Sequence, residues 1–288
     1  MRLVTTSDSL AETFGDLEAV RILARNGFDA IDWSFFSIER QIGWQGGGWR
    51  DHAAEIRRTA EECGIGFGQS HAPFPSSVGN EEKDKQILTT ILKSMEAAAL
   101  LGCHSIIVHP RQHLPYAKNK KQLFRENVAF YTDLIPYCKQ FGIHVCVENM
   151  WQYDEKRHII VDSVCAQPEE FCAMIDEINS PWITACLDIG HTALVGVDPA
   201  DAIRALGHDR LKALHVHDVD YLHDCHTLPF NRNLDWDAIT AALAEIHYDG
   251  DFTFEADAFL EQFPRELRKD ASVLMARTGR YLVEKTGL

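Results

Sequence analysis

The chain of 288 residues has no excess of positive charge: 28 Lys and Arg face 43 Asp and Glu, for a formal net charge of −15. A nucleic-acid groove normally presents a basic face to phosphates, so this balance argues against such a partner. Metal ions would add positive charge that the formal count omits. No apolar run approaches the roughly 20 residues of a membrane span. The opening residues MRLVTTSDSL also lack the apolar core of a secretion signal. The eight cysteines (63, 103, 138, 146, 165, 172, 186 and 225) form no CxxC pair. Several lie in apolar strand-like runs such as VCVEN and TACLD, where a free thiol behaves as a small buried hydrophobe. A cytoplasmic protein with reduced thiols is expected. Neither GxGxxG nor the P-loop pattern occurs, and GGG at 46–48 matches neither. No linker or low-complexity stretch divides the chain, so one domain over 1–288 is expected.

What is present is a repeating unit. Strand-like runs fall at 2–7, 29–35, 66–72, 104–110, 144–149, 183–189, 211–217 and 251–256. Helical patterns lie between them, among them Asp16–Asn26, Asp51–Cys63, Glu81–Leu101 and Asn127–Phe141, each followed by glycine. Glycine just past a helix is the expected terminating residue. The phrases NGFDAID, CGIGFGQ, LGCHSII and FGIHVCV repeat that junction. Eight evenly spaced strand–helix units without a phosphate loop predict an α/β fold, the closed (β/α)8 TIM barrel.

A barrel builds its active site at the C-terminal ends of its strands, and the unusual polar residues collect there. The third run ends in QSHAP with His71 and the fourth in VHP with His109. The fifth ends in VEN with Glu148, and the sixth in LDIGH with Asp188 and His191. The seventh carries His215 and His217, and the eighth ends in FEAD with Glu255. Residues two apart in a strand share a face, so His215 and His217 can both look inward. Any one of these is ordinarily a solvated or hydrogen-bonded loop residue. Six consecutive strands sending such residues to one rim predict a metal site. Two Glu, one Asp and one His favour Mn²⁺, Mg²⁺, Co²⁺ or Zn²⁺, with further histidines shifting preference toward zinc. Cys186, two residues before Asp188, is expected in the core below the site.

These residues, in this order, resemble the xylose-isomerase-like TIM barrels, which include sugar and sugar phosphate isomerases and epimerases, inosose-processing enzymes and endonuclease IV. SHAP (70–73), VHP (108–110), VEN (147–149), LDIGH (187–191), HVHD (215–218), DCH (224–226), NLDW (233–236) and FEAD (254–257) carry the likeness over essentially the whole chain. The resemblance implies one divalent ion held by Glu148, Asp188, His215 and Glu255. His217 is an alternative to His215. It implies that Glu148 and Glu255 act as an acid/base pair on opposite faces of a sugar or polyol, through an enediolate. Endonuclease IV uses a trinuclear zinc set, which His71, His109, Glu148, Asp188, His191, His215, Asp224, His226 and Glu255 would fill. One ion is therefore the first expectation and up to three are open. His71, His109, His191, His217, Asp224 and His226 are candidates for further metal or for substrate oxygens.

One departure matters. The ketose epimerases carry Arg six residues beyond their metal-binding His, where this chain has Tyr221 or His223. That puts a ketose 3-epimerase in doubt. Trp33, Trp151 and Phe74 are candidate walls for a sugar ring. Arg111 is a candidate substrate contact, and Lys156, Arg157 and Arg232 could meet a phosphate. His223 is expected to be solvated. The leading expectation is a metal-dependent isomerase or epimerase whose small-molecule substrate is a sugar, sugar phosphate or related polyol. The alternatives are a multinuclear zinc phosphoesterase, a keto-sugar or inosose dehydratase, and a barrel kept only for binding or assembly. A homo-oligomer stays open.

Overall fold

Strands that bury alternate residues inside and outside a ring dictate the architecture. The computed structural model describes residues 1–36, 38 and 42–288. Its strands are β1 (Leu3–Thr6), β2 (Ala30–Ser34), β3 (Gly66–His71), β4 (Ser105–Ile107), β5 (His144–Glu148), β6 (Trp151–Asp154), β7 (Ile159–Asp162), β8 (Ile183–Asp188), β9 (Leu211–His215) and β10 (Phe252–Phe254). Eight of them form one parallel sheet in the order β10-β1-β2-β3-β4-β5-β8-β9. Val216, just past β9, bridges Phe254, and its N–H donates to the Thr253 carbonyl at 2.8 Å, closing the ring. This is the expected (β/α)8 TIM barrel.

The alternation of side chains places the site. Ile107, Cys146, Cys186 and Ala213 form a small apolar cluster inside the ring. Two residues further on, β5, β8 and β9 end in Glu148, Asp188 and His215, which therefore point the same way, above that cluster. Cys186 is core, as its offset from Asp188 predicted, and all eight cysteines are free thiols. The other face of the strands, including Val145, Val147, Ala185 and Leu187, packs in the larger core with the helices.

Helices Asp16–Asn26 and Glu81–Leu101 lie where the sequence pattern put them. The latter ends at Gly102, whose φ of +97° lets its N–H reach the Ala98 and Ala99 carbonyls. The helix expected at 51–63 starts at Trp49. The helix expected at 127–141 is the later part of Tyr116–Phe141, which continues through a local kink at Asn119. Strands β4, β9 and β10 are shorter than their sequence patterns. Their last expected residues leave the ladder and enter the loops that cover the barrel mouth. An antiparallel hairpin, β6 with β7, was not expected; it adds a short flap after β5. No described helix is long and apolar enough to cross a membrane.

Candidate metal centre

Glu148, Asp188, His215 and Glu255 present ligand atoms that all lie within 4.8 Å of one another. His215 Nδ1 sits between the two glutamates, 3.1 Å from Glu148 Oε1 and 3.1 Å from Glu255 Oε2. Asp188 Oδ2 is 3.9 Å from the same nitrogen. The register pairs Asp188 with His215 across β8 and β9, so the convergence follows from the sheet itself. Asp188 also caps the helix Ile189–Leu194, accepting the His191 N–H at 2.6 Å.

A second set of four donors adjoins the first: His191, His217, Asp224 and His226. His217 Nε2 lies 3.1 Å from both Asp188 oxygens, so Asp188 stands between the two sets. His191 Nδ1 donates to the Asn149 carbonyl at 2.9 Å. That bond fixes the ring and leaves Nε2, 3.3 Å from Asp224 Oδ2, as the atom offered to a ligand. Asp224 also stands 3.3 Å from His226 and accepts the Trp151 indole N–H at 3.1 Å. The rings of His217 and His226 stack with centroids 4.3 Å apart. A third set joins Asp32, His71 and His215. His71 Nδ1 is held 3.1 Å from Asp32 Oδ1, turning Nε2 toward Glu255 Oε1 at 3.4 Å. A carboxylate behind a histidine in this way orients it as a ligand. His109 Nε2 is 3.0 Å from Glu148 Oε2.

Buried carboxylates this close need positive charge. Burial pushes the Glu148 carboxyl up, but His215 and His109 outweigh it and hold it well below the usual carboxylate range. Glu255 is likewise held low against burial, by His215 and His226. Burial favours neutral imidazoles, yet Asp32 pushes His71 up to about 10 and Glu255 with Asp224 pushes His226 up to about 10. His215 is raised well above its ordinary range against burial, by Cys186, Glu255 and Glu148. Protons on the histidines would balance the carboxylates. A divalent cation does the same while binding neutral imidazole. Three carboxylates and one imidazole form a donor set that fits such an ion. Buried Asp224 Oδ1 makes no hydrogen bond, which also fits a cation nearby.

The other candidates divide. Trp151 is half-buried and reaches the second set through Asp224. Phe74 is 38% exposed and stacks on Phe36, with its ring near His109. Trp33 does not reach the mouth: it is buried against Trp44 and Phe67. The reason is alternation, because Asp32 on the same strand points inward to Gln69 and His71 and so sends Trp33 outward. The Arg111 guanidinium lies over the Phe130 ring, 4.3 Å from its centroid. Lys156 and Arg157 are exposed at the β6–β7 turn, and Arg232 is exposed beside Asn231. His223 is exposed and paired with Asp220.

Sequence reasoning gave no role to Asp32, although an acid inside the apolar run DAIDWSF was a signal. It also passed over Asn149, whose amide ties β5 to β8 through the Asp188 carbonyl at 3.0 Å and the Asp188 N–H at 2.7 Å. Asp218 is fully buried and binds the N–H groups of Val219, Arg232 and Leu234 and the Trp236 indole, holding the loop that carries Asp224.

A parallel barrel with a carboxylate–histidine cluster at its C-terminal mouth defines the class, and the chain as a whole matches a family within it. It belongs to the xylose isomerase-like TIM barrels, matched over residues 20–277. An uncharacterised protein of Sinorhizobium fredii is 25% identical over 182 residues, 62% of this chain and 55% of that one. One of Methanocaldococcus jannaschii is 26% identical over 193 residues, 64% of this chain and 62% of that one. The chain thus spans about three-fifths or less of these curated relatives. Among solved structures, D-psicose 3-epimerase of Clostridium cellulolyticum with D-tagatose superposes with a TM-score of 0.75 at 15% identity, covering 98% of this chain and 99% of that one. The IOLI protein with a bound zinc atom superposes with a TM-score of 0.74 at 16% identity, covering 99% of each. A D-tagatose 3-epimerase-like protein gives 0.71 at 21% identity, covering 96% and 99%. At these identities the likeness is one of fold.

Proposed function

We propose that the protein is a divalent-metal-dependent isomerase or epimerase of a sugar or related polyol. The observation that carries this reading is the placement of Glu148 and Glu255 on either side of His215, at 3.1 Å each, with Asp188 completing the donor set. Glu148, Asp188, His215 and Glu255 would hold the ion. When bound, it polarises a carbonyl and stabilises negative charge on oxygen. Glu148 and Glu255 are the chain's acid and base, one taking the proton from the carbon beside the carbonyl and the other returning it. His109 and His71, each beside one glutamate, keep the pair oriented. His191, fixed by Asn149, orients a substrate oxygen. Trp151 and Phe74 border the mouth as apolar surface.

Support from relatives is of the same kind: structural neighbours include epimerases solved with D-fructose or D-tagatose and a zinc-bound barrel. The test is solvent deuterium exchange into a panel of keto-sugars by the metal-loaded protein. Exchange without change of formula is expected, and no exchange with any member would end the reading.

A second reading has its own observation. The set His191, His217, Asp224 and His226 provides donors for more than one ion, which suits a zinc phosphoesterase resembling endonuclease IV. Metal analysis separates the two. About one ion per chain supports the isomerase, and two or three zinc ions with cleavage of an abasic-site duplex support the phosphoesterase.

A further inference from the structure

The last helix, Arg268–Thr286, has two faces of different character. Its inner face buries Ala271, Met275, Ala276, Leu282 and Val283 in the core. Gly279 lets the backbone press on the barrel, because a Cβ there would lie 2.3 Å from Leu3 Cδ1 and 2.6 Å from Phe254 Cε2. That close approach fixes which way the helix faces, so its outer residues have no route into the packed core.

The outer face is not uniformly polar. Leu267, at the N-cap, Leu274 and Tyr281 follow one another at seven-residue spacing. Seven residues fall just short of two helical turns, so the three form one line. Each is between 48% and 55% exposed. Phe230, also more than half exposed, widens the line, with its ring 6.1 Å from that of Tyr281. Single exposed apolar residues are ordinary, whereas a grouped set of them marks a surface that another surface covers.

Charge identifies the covering surface. Asp270 and Arg277 each stand three residues beyond an apolar one, so they share one flank of the line. Both are exposed, and neither side chain has a partner among the described residues. Nearby Arg280 and Lys285 are already committed to Asp29 and Asp237. In a twofold pair of antiparallel helices the same flanks meet, and residue i facing j implies j facing i. With the axis at Leu274, that residue meets its own copy and Leu267 meets Tyr281. Asp270 of each copy then comes within one residue, about 1.5 Å of helix rise, of level with Arg277 of the other. An axis midway between Leu274 and Tyr281 would instead set Arg277 against its own copy.

We propose that this face binds a second copy of the chain, giving a twofold dimer in which the last helices pack antiparallel about Leu274. The apolar line supplies the contact, and two Asp270–Arg277 pairs fix the register. The pairing is independent of the isomerase reading, since none of these residues belongs to a donor set.

Sedimentation velocity tests it. Wild-type protein at about 100 μM is expected at twice its chain mass of 32.6 kDa. Leu274→Glu puts two like charges on the axis and should leave a monomer. Asp270→Arg and Arg277→Glu should each weaken the dimer at least about tenfold, and the two together should restore it to within about threefold of wild type, because the pairs are exchanged rather than lost. Leu274→Cys should crosslink across the axis under mild oxidation, beyond the wild-type background, whereas Tyr281→Cys, which faces Leu267, should not. Melting curves check that each variant is folded. A monomeric wild type, a dimer that survives Leu274→Glu, or charge reversals that the double variant fails to rescue would each overturn the proposal.

Discussion

The two mouths of the barrel use the same residue types and balance them differently. At the N-terminal mouth, Arg2 binds Asp251 with two hydrogen bonds of 2.8 and 2.7 Å, and His104 adds a third contact at 3.1 Å. Arg280 grips Asp29, and Lys212 pairs with Asp249. Each of these acids has its cation, and Asp251 and Asp29 are held below their ordinary range despite burial. At the C-terminal mouth no Lys or Arg salt-bridges Glu148, Asp188, Glu255, Asp257 or Asp8 among the described residues. The larger cavity, about 570 Å³, is at the balanced end. Size therefore does not mark the site. Charge left for something outside the chain to balance does.

The largest expected effect separates the ends by turnover. Glu148→Gln and Glu255→Gln should each lower the rate of deuterium exchange by about 10²–10⁴, the usual worth of a positioned acid or base. Each should also lower the melting temperature of the metal-free protein at neutral pH, because His215 and His109 hold Glu148, and His215 and His226 hold Glu255, in the charged form. Full turnover in either variant would remove that glutamate from the acid/base pair.

Divalent metal should stabilise one end only. At a hundredfold excess over its dissociation constant, Mn²⁺ or Zn²⁺ should add about 2.7 kcal/mol to folding. Asp188→Asn should abolish most of that gain while Asp251→Asn leaves it intact. Differential scanning calorimetry with and without chelator reads both, and an equal loss in the two variants would erase the distinction between the mouths.

Much of this division was legible in the sequence. The repeated helix–Gly–strand junction gave the barrel, because glycine past a helix and period-two strands are local signals. The candidate ligand residues were visible as polar endings of apolar strands. What stayed hidden depended on which way a side chain faces. Trp33 and Asp32 are neighbours in one run, and only the register shows that Asp32 supports His71 while Trp33 enters the outer core. Arg111 follows VHP, yet its guanidinium packs on Phe130. Asp8 and Asp257 lie 249 residues apart, so no spacing rule could join them. The assignment of His215 and His217 to different donor groups is also a matter of depth in the mouth, which HVHD alone does not specify.

At the balanced end, Asp251→Asn should cost about 1–3 kcal/mol, since it removes charged hydrogen bonds to Arg2 and His104 and leaves them facing a neutral amide. Urea denaturation at neutral pH measures it. The effect has a defined pH dependence. The Asp251 pKa is depressed in the folded state, so its stabilisation is present above the ordinary value of 3.8 and is lost as pH falls through the lower folded value. The gap between wild type and variant should therefore close in strong acid. A gap that stays constant down to about pH 2 would show that the loss is one of packing.

Asp8 should slope the opposite way, and more weakly. Its carboxyl is pushed from 3.8 up to about 7 by burial and Asp257, against the pull of Ser34 and His71, with Asp32 adding to the rise. Between those two values the folded protein holds more protons than the unfolded chain. Stability contributed by this group therefore falls as pH rises through that window. Asp8→Asn removes the penalty. In metal-free protein the variant should be more stable than wild type at pH 8, by about 1 kcal/mol for a partly exposed carboxylate. The difference should vanish below about pH 4, where both carry a neutral side chain. Paired urea denaturations at pH 4, 6 and 8 give the sign. A variant less stable than wild type at pH 8 would mean that Asp8 already has its counter-charge within the chain, and the contrast between the two mouths would then not extend beyond the candidate metal ligands.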